Sequence, residues 1–161
     1  MPGPVPWIAV VGPGHADPRE AAWAEEAGAA VAAAGAVLVC GGLGGVMQAA
    51  CRGARSRAGT TVGLLPGIDR GDANGWVLLA VPTGLGEARN ALVVRAADAV
   101  VAIGGAWGTL SEIALALKAG KPVVGLATWE LMRAGEPVEG VIRAHDAGDA
   151  VGIALARVNR H

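Results

Sequence analysis

Residues 99–112 read AVVAIGGAWGTLSE, and the character of the sequence changes twice within them. The apolar, β-branched run at 99–103 is typical of a buried strand. A glycine cluster follows, and a helical pattern begins at residue 108. A strand that leads through glycines into a helix is typical of α/β folds, in which ligands bind outside the carboxyl ends of the strands. This segment therefore predicts both a fold class and the edge of the sheet on which a site would lie.

The same alternation of strand and helix continues along the chain. Strands are predicted at 7–11, 36–40, 60–65, 76–81, 99–103, 123–126 and 141–143. Helices are predicted at 18–34, 45–58, 87–97, 108–119 and 147–158, the last capped by Asp146, with loops at 66–75 and near 135–139. Short strands between longer helices indicate βαβ units and a mainly parallel sheet with helices on both faces. We therefore predict one doubly wound α/β domain over residues 1–161.

The composition supports a tightly packed domain of this kind. The 161 residues include 26 glycines and 5 tryptophans but no Phe or Tyr, so the core must be built from small aliphatic side chains. A hydrophobic fraction of 53% with only 17% charged residues excludes a disordered chain. The net charge of −1 argues against a nucleic-acid-binding face, which would be basic.

The sequence also carries expectations about membrane and compartment. No apolar run is long enough to span a membrane, and the N-terminal MPGPVP lacks the basic residues of a signal peptide. Cys40 and Cys51 have no metal-ligand spacing, and they fit small buried hydrophobes in a reducing compartment better than a disulfide. We expect a cytoplasmic protein with no membrane partner, no nucleic-acid partner and no metal site.

Three predicted strands end in glycine clusters that lead toward helices. The clusters are GPG at 12–14, GGLGG at 41–45 and GGAWGT at 104–109. Glycine lets backbone N–H groups approach a ligand closely, and the helix N-terminus behind it favours an anion. One such cluster is more often a tight turn, but three at one edge of a sheet indicate a phosphate-bearing ligand. The candidate ligand-binding residues are Gly12, Gly14, Gly42, Gly44, Gly45, Gly104, Gly105, Trp107, Gly108 and Thr109.

Two common nucleotide-binding motifs are excluded. The GPG cluster at 12–14 lacks the third glycine of a dinucleotide fingerprint, and the second strand ends without the acidic residue that binds ribose. No Gly-x-x-x-x-Gly-Lys-Ser/Thr motif occurs, and the two lysines, Lys118 and Lys121, lie at the end of a helix and beyond it. ATP hydrolysis by the Walker route is therefore excluded.

Thr109 and Glu112 open the helix after the third cluster, and two interpretations of them remain open. Thr-x-x-Glu is a capping box, in which each side chain satisfies a backbone N–H group of the other residue. Alternatively, Glu112 lies beside a bound phosphate sugar and binds ribose hydroxyls or stabilises an oxocarbenium-like centre. The residues alone slightly favour the capping box. Arg89, which follows the fourth strand, either binds a phosphate or a leaving base, or is a solvated helix residue or a partner for Glu87.

Together these residues resemble the lonely-guy (LOG) family, often labelled lysine decarboxylase-like, and its relatives the molybdenum-cofactor carrier proteins. The family signature Pro-Gly-Gly-x-Gly-Thr-x-x-Glu aligns without a gap on residues 104–112. Arg89 falls at the family's arginine, 23 residues before Glu112. The cluster at 41–47 and the sequence VGLLP at 62–66 are similar to the family's other glycine loop and the segment after it. The resemblance spans nearly the whole chain.

The resemblance implies a Rossmann-like fold, a homodimer or higher homo-oligomer, and a phosphate held by Gly105, Gly108 and Thr109. The best-known members are phosphoribohydrolases, which split cytokinin nucleoside monophosphates into free base and ribose 5-phosphate. Their catalytic pair would correspond to Arg89 and Glu112. The decarboxylase label is not supported, because no lysine is placed to form the Schiff base of a pyridoxal phosphate site.

Several positions depart from the hydrolase pattern. The family's Pro-Gly-Gly is GGA at 104–106, its Arg-Lys is Arg89-Asn90, and its acidic pair is Ser111-Glu112. The opening VVGPG at 10–14 replaces a Cys-Gly-Ser type of start. These positions look more like the carrier branch, which binds a pterin cofactor through its phosphate.

Two functions follow as expectations, and both use a small phosphorylated ligand. The first is a nucleoside 5′-monophosphate phosphoribohydrolase that requires no cofactor and no metal. The second is a non-catalytic carrier for molybdenum cofactor or a similar phosphorylated heterocycle. The bound molecule would be a nucleoside monophosphate, phosphate or molybdenum cofactor. Trp107, inside the third cluster, is expected to contact the ligand or a second subunit.

Overall fold

The computed structural model describes residues 3–158; Met1 and Pro2, which belong to the MPGPVP segment considered above, and residues 159–161 lie outside the described residues. The strands are β1 (Trp7–Val11), β2 (Val37–Cys40), β3 (Thr61–Leu65), β4 (Leu79–Pro82), β5 (Ala99–Ile103), β6 (Val123–Leu126), β7 (Met132–Arg133), β8 (Glu136–Pro137) and β9 (Val141–Arg143). The helices are α1 (Pro18–Ala33), α2 (Val46–Ser56), α3 (Arg89–Ala96), α4 (Trp107–Lys118) and α5 (Ala147–Val158).

Seven strands form one sheet in the order β4-β3-β2-β1-β5-β6-β9, and every neighbouring pair is parallel. Helices α1, α2 and α5 pack on one face, while α3 and α4 pack on the other. The predicted Rossmann-like, doubly wound α/β fold is therefore confirmed. The direction of winding reverses between β1 and β5, which opens a crevice at the carboxyl ends of these central strands.

The core is built from small aliphatic residues, as the composition requires. Along β1, Ile8 and Val10 pack toward α1, α2 and α5, whereas Ala9 and Val11 pack toward α3 and α4. Because both faces are covered, the strands are continuous apolar runs. Part of the glycine surplus also serves this packing: a Cβ on Gly53 of α2 would lie 1.9 Å from the backbone oxygen of Glu25 on α1. The two helices approach so closely that only glycine fits there.

The fourth strand is shorter than predicted and shifted along the chain. It occupies Leu79–Pro82 rather than 76–81, so the prediction was wrong for residues 76–78. The Thr61 hydroxyl donates to the Trp76 carbonyl at 2.7 Å and accepts from the Leu78 N–H at 2.8 Å. The Asn74 side chain accepts from the Trp76 N–H at 3.0 Å. Side chains thus bind the backbone N–H and carbonyl of Trp76, while the Leu78 N–H is shared between the Thr61 hydroxyl and the Thr61 carbonyl, the latter at 3.1 Å.

The capping box predicted at Thr109 and Glu112 is absent. Helix α4 begins at Trp107 with Ala106 as its N-cap, and no side chain caps it. Thr109 is therefore the third helical residue and not the residue that precedes the helix. The helix begins early because Ala106 already has an extended backbone, which is the geometry of an N-cap, with φ −122° and ψ 175°.

The last third of the chain agrees with its predicted pattern and adds one element. Helix α5 has the predicted bounds, and Asp146 accepts from the Asp149 N–H at 2.7 Å, as expected of its cap. The predicted loop near 135–139 contains β8, which pairs with β7 through a tight hairpin. Its turn residues Ala134 and Gly135 have φ of 51° and 84°, the left-handed values that such turns require. Within residues 3–158, no helix is long and apolar enough to cross a membrane.

Candidate functional site

A cavity of about 320 Å³ lies where the winding of the sheet reverses. Its wall includes residues from all three glycine clusters and from the start of α3 and of α4. The predicted site residues that line it are Gly12, Gly14, Arg89, Gly108, Thr109 and Glu112. They converge because the carboxyl ends of parallel strands lie at one edge of the sheet. The cavity is also lined by Met47, Pro66, Glu87 and Asn90, none of which was among the predicted site residues.

The other predicted residues of the glycine clusters lie outside this wall. Gly42 packs behind it against Leu65, and Gly44 and Gly45 pack against the backbone of residues 13–14. A Cβ on Gly45, whose φ is 62°, would lie 2.2 Å from the Pro13 oxygen. These glycines let two loops of the site touch backbone to backbone.

The outer part of the third cluster faces away from the cavity. Gly104 faces Glu20, and Gly105 faces the indole of Trp129. Trp107 is 78% exposed and packs on Trp129 with ring centroids 5.3 Å apart. Trp107 therefore lies outside the cavity wall, although it begins the helix whose N-terminus reaches the cavity.

Helices α2, α3 and α4 begin at the cavity without a side-chain cap, and only α3 is preceded directly by a 3₁₀ turn, at Gly86–Ala88. Helix α4 starts after Ala106 and helix α2 after Gly45, and neither residue provides a side-chain cap. By contrast, α1 is capped by Asp17, which accepts from the Glu20 N–H at 2.8 Å, and α5 by Asp146. Within the described residues, the N–H groups of residues 107–109 donate to no acceptor. Unpaired N–H groups and the helix dipole make such an N-terminus favourable for an anion.

Thr109 adds a buried hydroxyl at the same place. The residue is 1% exposed, and its Oγ1 has no hydrogen-bond partner among the described residues. Leaving a buried hydroxyl unpaired costs about 1–3 kcal/mol, so native structures keep few of them. Since a helical Thr has two favourable χ1 positions, the hydroxyl can turn toward a group bound in the cavity. The sequence signature includes Thr109, but only the structure shows that Thr109 does not cap α4.

Glu112 lies one turn further along α4, also in the cavity wall. Its side chain is 8% exposed and accepts no hydrogen bond from residues 3–158. Burial raises its pKa to about 7, and the positive charge of Arg89 opposes this rise. A carboxyl group with a pKa raised into this range is suited to act as a general acid or base.

Arg89 is held by backbone carbonyls rather than by a carboxylate. Its Nε donates to the Leu64 oxygen at 2.9 Å, and its Nη2 to the Gly41 oxygen at 3.4 Å. Its Nη1 donates to the Asn90 side chain. The expected pairing with Glu87 is not formed. The guanidinium joins β3 to the second glycine cluster and still has N–H groups left for a ligand.

Asn90, in the cavity wall, and Asn74, outside it, make contacts that the sequence did not indicate. Asn90 contacts the Ser111 hydroxyl at 3.5 Å, and Ser111 donates to the Gly108 carbonyl at 2.9 Å, so Arg89 is linked to the first turn of α4. Asn74 donates to the Leu43 carbonyl at 2.8 Å and fastens its loop to the second glycine cluster. No spacing rule could have found these links, because each joins segments that are 21 to 31 residues apart.

Cys40 and Cys51 lie behind the second glycine cluster. Both thiols are free and buried, as the sequence predicted. Their sulfur atoms lie 3.5 Å apart. The hydrogen bond between the thiols and their burial raise the pKa of Cys51. Within the described part of the chain, no group of three His, Cys, Asp or Glu side chains has a metal-binding arrangement.

Comparison with known proteins places this geometry in a family. A protein of Archaeoglobus fulgidus, itself uncharacterized, is 42% identical over 119 residues, which is 74% of this chain and 78% of that protein. The molybdenum cofactor binding protein of Rippkaea orientalis is 35% identical, with a TM-score of 0.86 over 96% of this chain and 98% of that one. The molybdenum cofactor carrier protein of Chlamydomonas reinhardtii is 34% identical, with a TM-score of 0.83 over 98% and 100% of the two chains.

The family assignment rests on most of the chain and not on one motif. The model of the SLOG cluster4 family matches residues 5–151, which include all three glycine clusters, Arg89 and Glu112. The two carrier-type structures extend the similarity over nearly the full chain. This chain belongs to the SLOG cluster4 family, in the molybdenum-cofactor-carrier-like branch of the LOG superfamily.

Proposed function

We propose that this protein binds a small phosphorylated heterocycle, with the phosphate seated at the uncapped N-terminus of α4. The observation that carries this proposal is Thr109, whose buried hydroxyl has no partner in the described residues and lies beside unpaired backbone N–H groups. A phosphate oxygen would accept from the hydroxyl and from these N–H groups together. The remaining N–H groups of Arg89 would balance the charge without a metal ion.

We further propose that the ligand is carried rather than transformed, and that it is of the molybdenum-cofactor type. Two solved structures with this similarity are a molybdenum cofactor binding protein and a molybdenum cofactor carrier protein. The residues present fit such a ligand at its phosphate end, because the cavity offers an anion site built from α4. Carrying also requires no catalytic group beyond those that bind.

Native mass spectrometry of freshly purified protein tests the carrier function. A carrier retains one molybdenum cofactor per subunit, and the mass of the released ligand is unchanged after hours of incubation. Protein that is isolated free of any pterin, and that leaves added molybdenum cofactor in solution, would rule out this function. The Thr109→Val protein is the control, because it should lose the ligand during gel filtration.

Hydrolysis of nucleoside 5′-monophosphates is a second candidate, and Glu112 is the observation that favours it. Its pKa of about 7 suits proton transfer, and it faces the same cavity as Thr109. In this reaction the N-glycosidic bond breaks with its electron pair going to the base, a water oxygen bonds to C1′, and Glu112 takes the water's proton and passes it to the departing base. Arg89 would orient the phosphate or assist departure of the base.

A panel of common nucleoside monophosphates, read for free base by chromatography, separates the two candidates. Hydrolysis predicts release of base and ribose 5-phosphate, abolished in Glu112→Ala while inorganic phosphate still binds. Absence of base release from every member of the panel would remove this candidate and leave the binding site itself untouched.

We propose that two copies of the chain associate through the β4 edge of the sheet. This edge exposes five apolar side chains, and Ile68 at its end is 88% exposed. The five are Ile68, Leu78, Leu79, Val81 and Leu85. An uncovered apolar edge strand is typical of an interface. Light scattering should give the mass of a dimer for the natural chain and of a monomer for Leu79→Glu; a monomeric natural chain would contradict this assembly.

A further inference from the structure

A second cavity, of about 540 Å³, lies at the carboxyl ends of β6 and β9. It is separate from the cavity lined by Thr109 and Glu112, which we call the phosphate cavity. It is lined by the start of α1, by residues 125–131 at and after the end of β6, by residues 137–139 from the end of the β7–β8 hairpin, and by β9 and the two residues after it. Its volume is within the range of sites for small organic ligands, roughly 300–1,000 Å³. None of the family-signature residues discussed above lines it, so the anion site does not account for it.

Two tryptophans give this cavity an aromatic lining. Trp23 of α1 and Trp129 of the loop after β6 both lie in its wall. The Arg19 guanidinium, also in the wall, lies 4.3 Å from the centre of the Trp23 ring. Indoles and a flat guanidinium are the surfaces on which planar rings stack. The lining therefore favours a flat aromatic ligand over an aliphatic one.

One polar atom in the wall is left without a partner. Thr128 Oγ1 is buried and makes no hydrogen bond within residues 3–158. Its methyl group lies over Gly125 of β6, where an added Cβ would be only 2.5 Å from it. The preceding Ala127 has a left-handed φ of 48°, a strained conformation for a residue with a side chain. A ligand nitrogen or carbonyl oxygen would satisfy the hydroxyl.

The wall of this cavity touches the loop that precedes α4. Trp129 Nε1 donates to the carbonyl of Ala106 at 3.2 Å, and Ala106 lines the phosphate cavity on its other side. The two cavities are therefore separated by one layer of residues, with Trp107 stacked on Trp129 at the surface between them.

We propose that the cavity at the ends of β6 and β9 is a second binding site, for a planar nitrogen heterocycle. The ring stacks on the tryptophans that line the cavity, and the Thr128 hydroxyl binds a ring nitrogen or an exocyclic oxygen. The choice of heterocycle rests on the proposed function, but the site does not, because its lining is independent of the phosphate cavity.

Nitrogen-15 NMR of the indole N–H groups tests this site directly, with adenine and pterin as phosphate-free probes. The chain has five tryptophans, and only Trp23 and Trp129 line the cavity. Their indole signals should shift on titration, while those of Trp7 and Trp76 remain as internal references. If neither probe moves the Trp23 and Trp129 signals, or if other indoles move instead, the proposal is overturned.

A matched pair of variants tests the role of the hydroxyl. Thr128→Val should weaken binding of the probe by about three- to tenfold, the usual value of one hydrogen bond, while Thr128→Ser retains it. Thr128→Val removes an unpaired buried hydroxyl, so its Tm should not fall below that of the natural chain. Equal affinity in the two variants would overturn the assignment of Thr128.

Binding of inorganic phosphate distinguishes this proposal from the proposed function. Phosphate should move the backbone signals of Gly108 and Thr109 equally in the natural chain and in Thr128→Val. If phosphate does not shift the Gly108 and Thr109 signals but the heterocycle still shifts the two indole signals, only the proposed function is contradicted. If phosphate shifts the backbone signals but the heterocycle does not shift the indole signals, only the second site is contradicted.

Discussion

Thr109 and Glu112 lie three residues apart on α4, and both side chains are buried in the wall of one cavity instead of capping their helix. Each would be satisfied in a capping box. Here the helix starts at Trp107, so its first N–H groups remain unpaired and a hydroxyl and a carboxyl are left beside them. The same two residues that would cap a helix in another protein leave the N-terminus of this helix without a side-chain cap.

Replacing Thr109 by Val should weaken phosphate binding and leave the fold intact. The substitution keeps the shape of the side chain and removes the buried hydroxyl at the head of α4. Affinity for inorganic phosphate, measured by calorimetry, should fall by about tenfold. The unliganded protein should be as stable as the natural chain or about 1 kcal/mol more stable, because an unpaired buried hydroxyl is removed. Thr109→Ser, which keeps the hydroxyl, is the control; equal affinity in both variants would contradict the role of Thr109.

Replacing Glu112 by Gln should change how stability depends on pH. Because the pKa of Glu112 is raised to about 7 in the folded protein, the folded state holds its proton more tightly than the unfolded state does. The stability that the protonated Glu112 side chain contributes is fully present below the pKa of this residue in the unfolded chain. It is lost as the pH rises through about 7, the pKa in the folded protein. The raised pKa corresponds to about 3 kcal/mol.

Urea unfolding at pH 5 and pH 8.5 measures this effect. Glu112→Gln cannot ionise, so its stability relative to the natural chain should rise between the two pH values by up to about 3 kcal/mol. A difference between the two proteins that does not change with pH would show that Glu112 titrates normally, and its proposed proton transfer would lose its basis.

Replacing Arg89 by Lys should weaken the site even though the charge is kept. The guanidinium donates in three directions, to Leu64, Gly41 and Asn90, and a lysine amine cannot span them. We expect phosphate affinity to fall about tenfold and stability by about 1–2 kcal/mol. Arg95→Lys, an exposed position on the same helix, should leave both unchanged. A fully functional Arg89→Lys protein would mean that only the charge of Arg89 matters.

Two glycine substitutions in helices should have opposite effects on stability. Gly53→Ala places a Cβ 1.9 Å from the Glu25 backbone oxygen, which forces α1 and α2 apart and should cost about 2 kcal/mol or more. Gly152→Ala on α5 meets nothing within 4 Å and should stabilise the protein by about 0.5–1 kcal/mol. Thermal unfolding measures both. Equal effects would show that the close approach of α1 and α2 does not require glycine.

The fold and the edge of the sheet that carries the candidate site could be predicted because they depend on local patterns. Apolar runs that alternate with helical segments determine a parallel sheet, and glycines after β1, β2 and β5 must then meet at one edge. The fourth strand was misplaced because the hydroxyl of Thr61 and the side chain of Asn74 bind the backbone of residues 76–78. Both contacts are tertiary and leave no pattern in the sequence.

The chemistry of the site was less predictable for the same reason. The sequence Thr-x-x-Glu is the same whether the two residues form a capping box or lie in a candidate anion site. Which of the two arrangements forms depends on the backbone of Ala106, because it decides where the helix begins. The exposed position of Trp107 depends on its stacking partner Trp129, which comes 22 residues later in the sequence. The linkage of Arg89 to α4 through Asn90 and Ser111 likewise requires α3 and α4 to be packed together first.

The measurement that tests the central claim most directly is the response of backbone amide signals to inorganic phosphate in nitrogen-15 labelled protein. The N–H groups of Gly108 and Thr109 on α4, and of Met47 on α2, should shift in a saturable way. Those of Arg19 and Glu20 should stay in place, because Asp17 already caps α1. Shifts that spare Gly108 and Thr109, or that fall equally on the capped and uncapped helices, would contradict a phosphate site between α2 and α4.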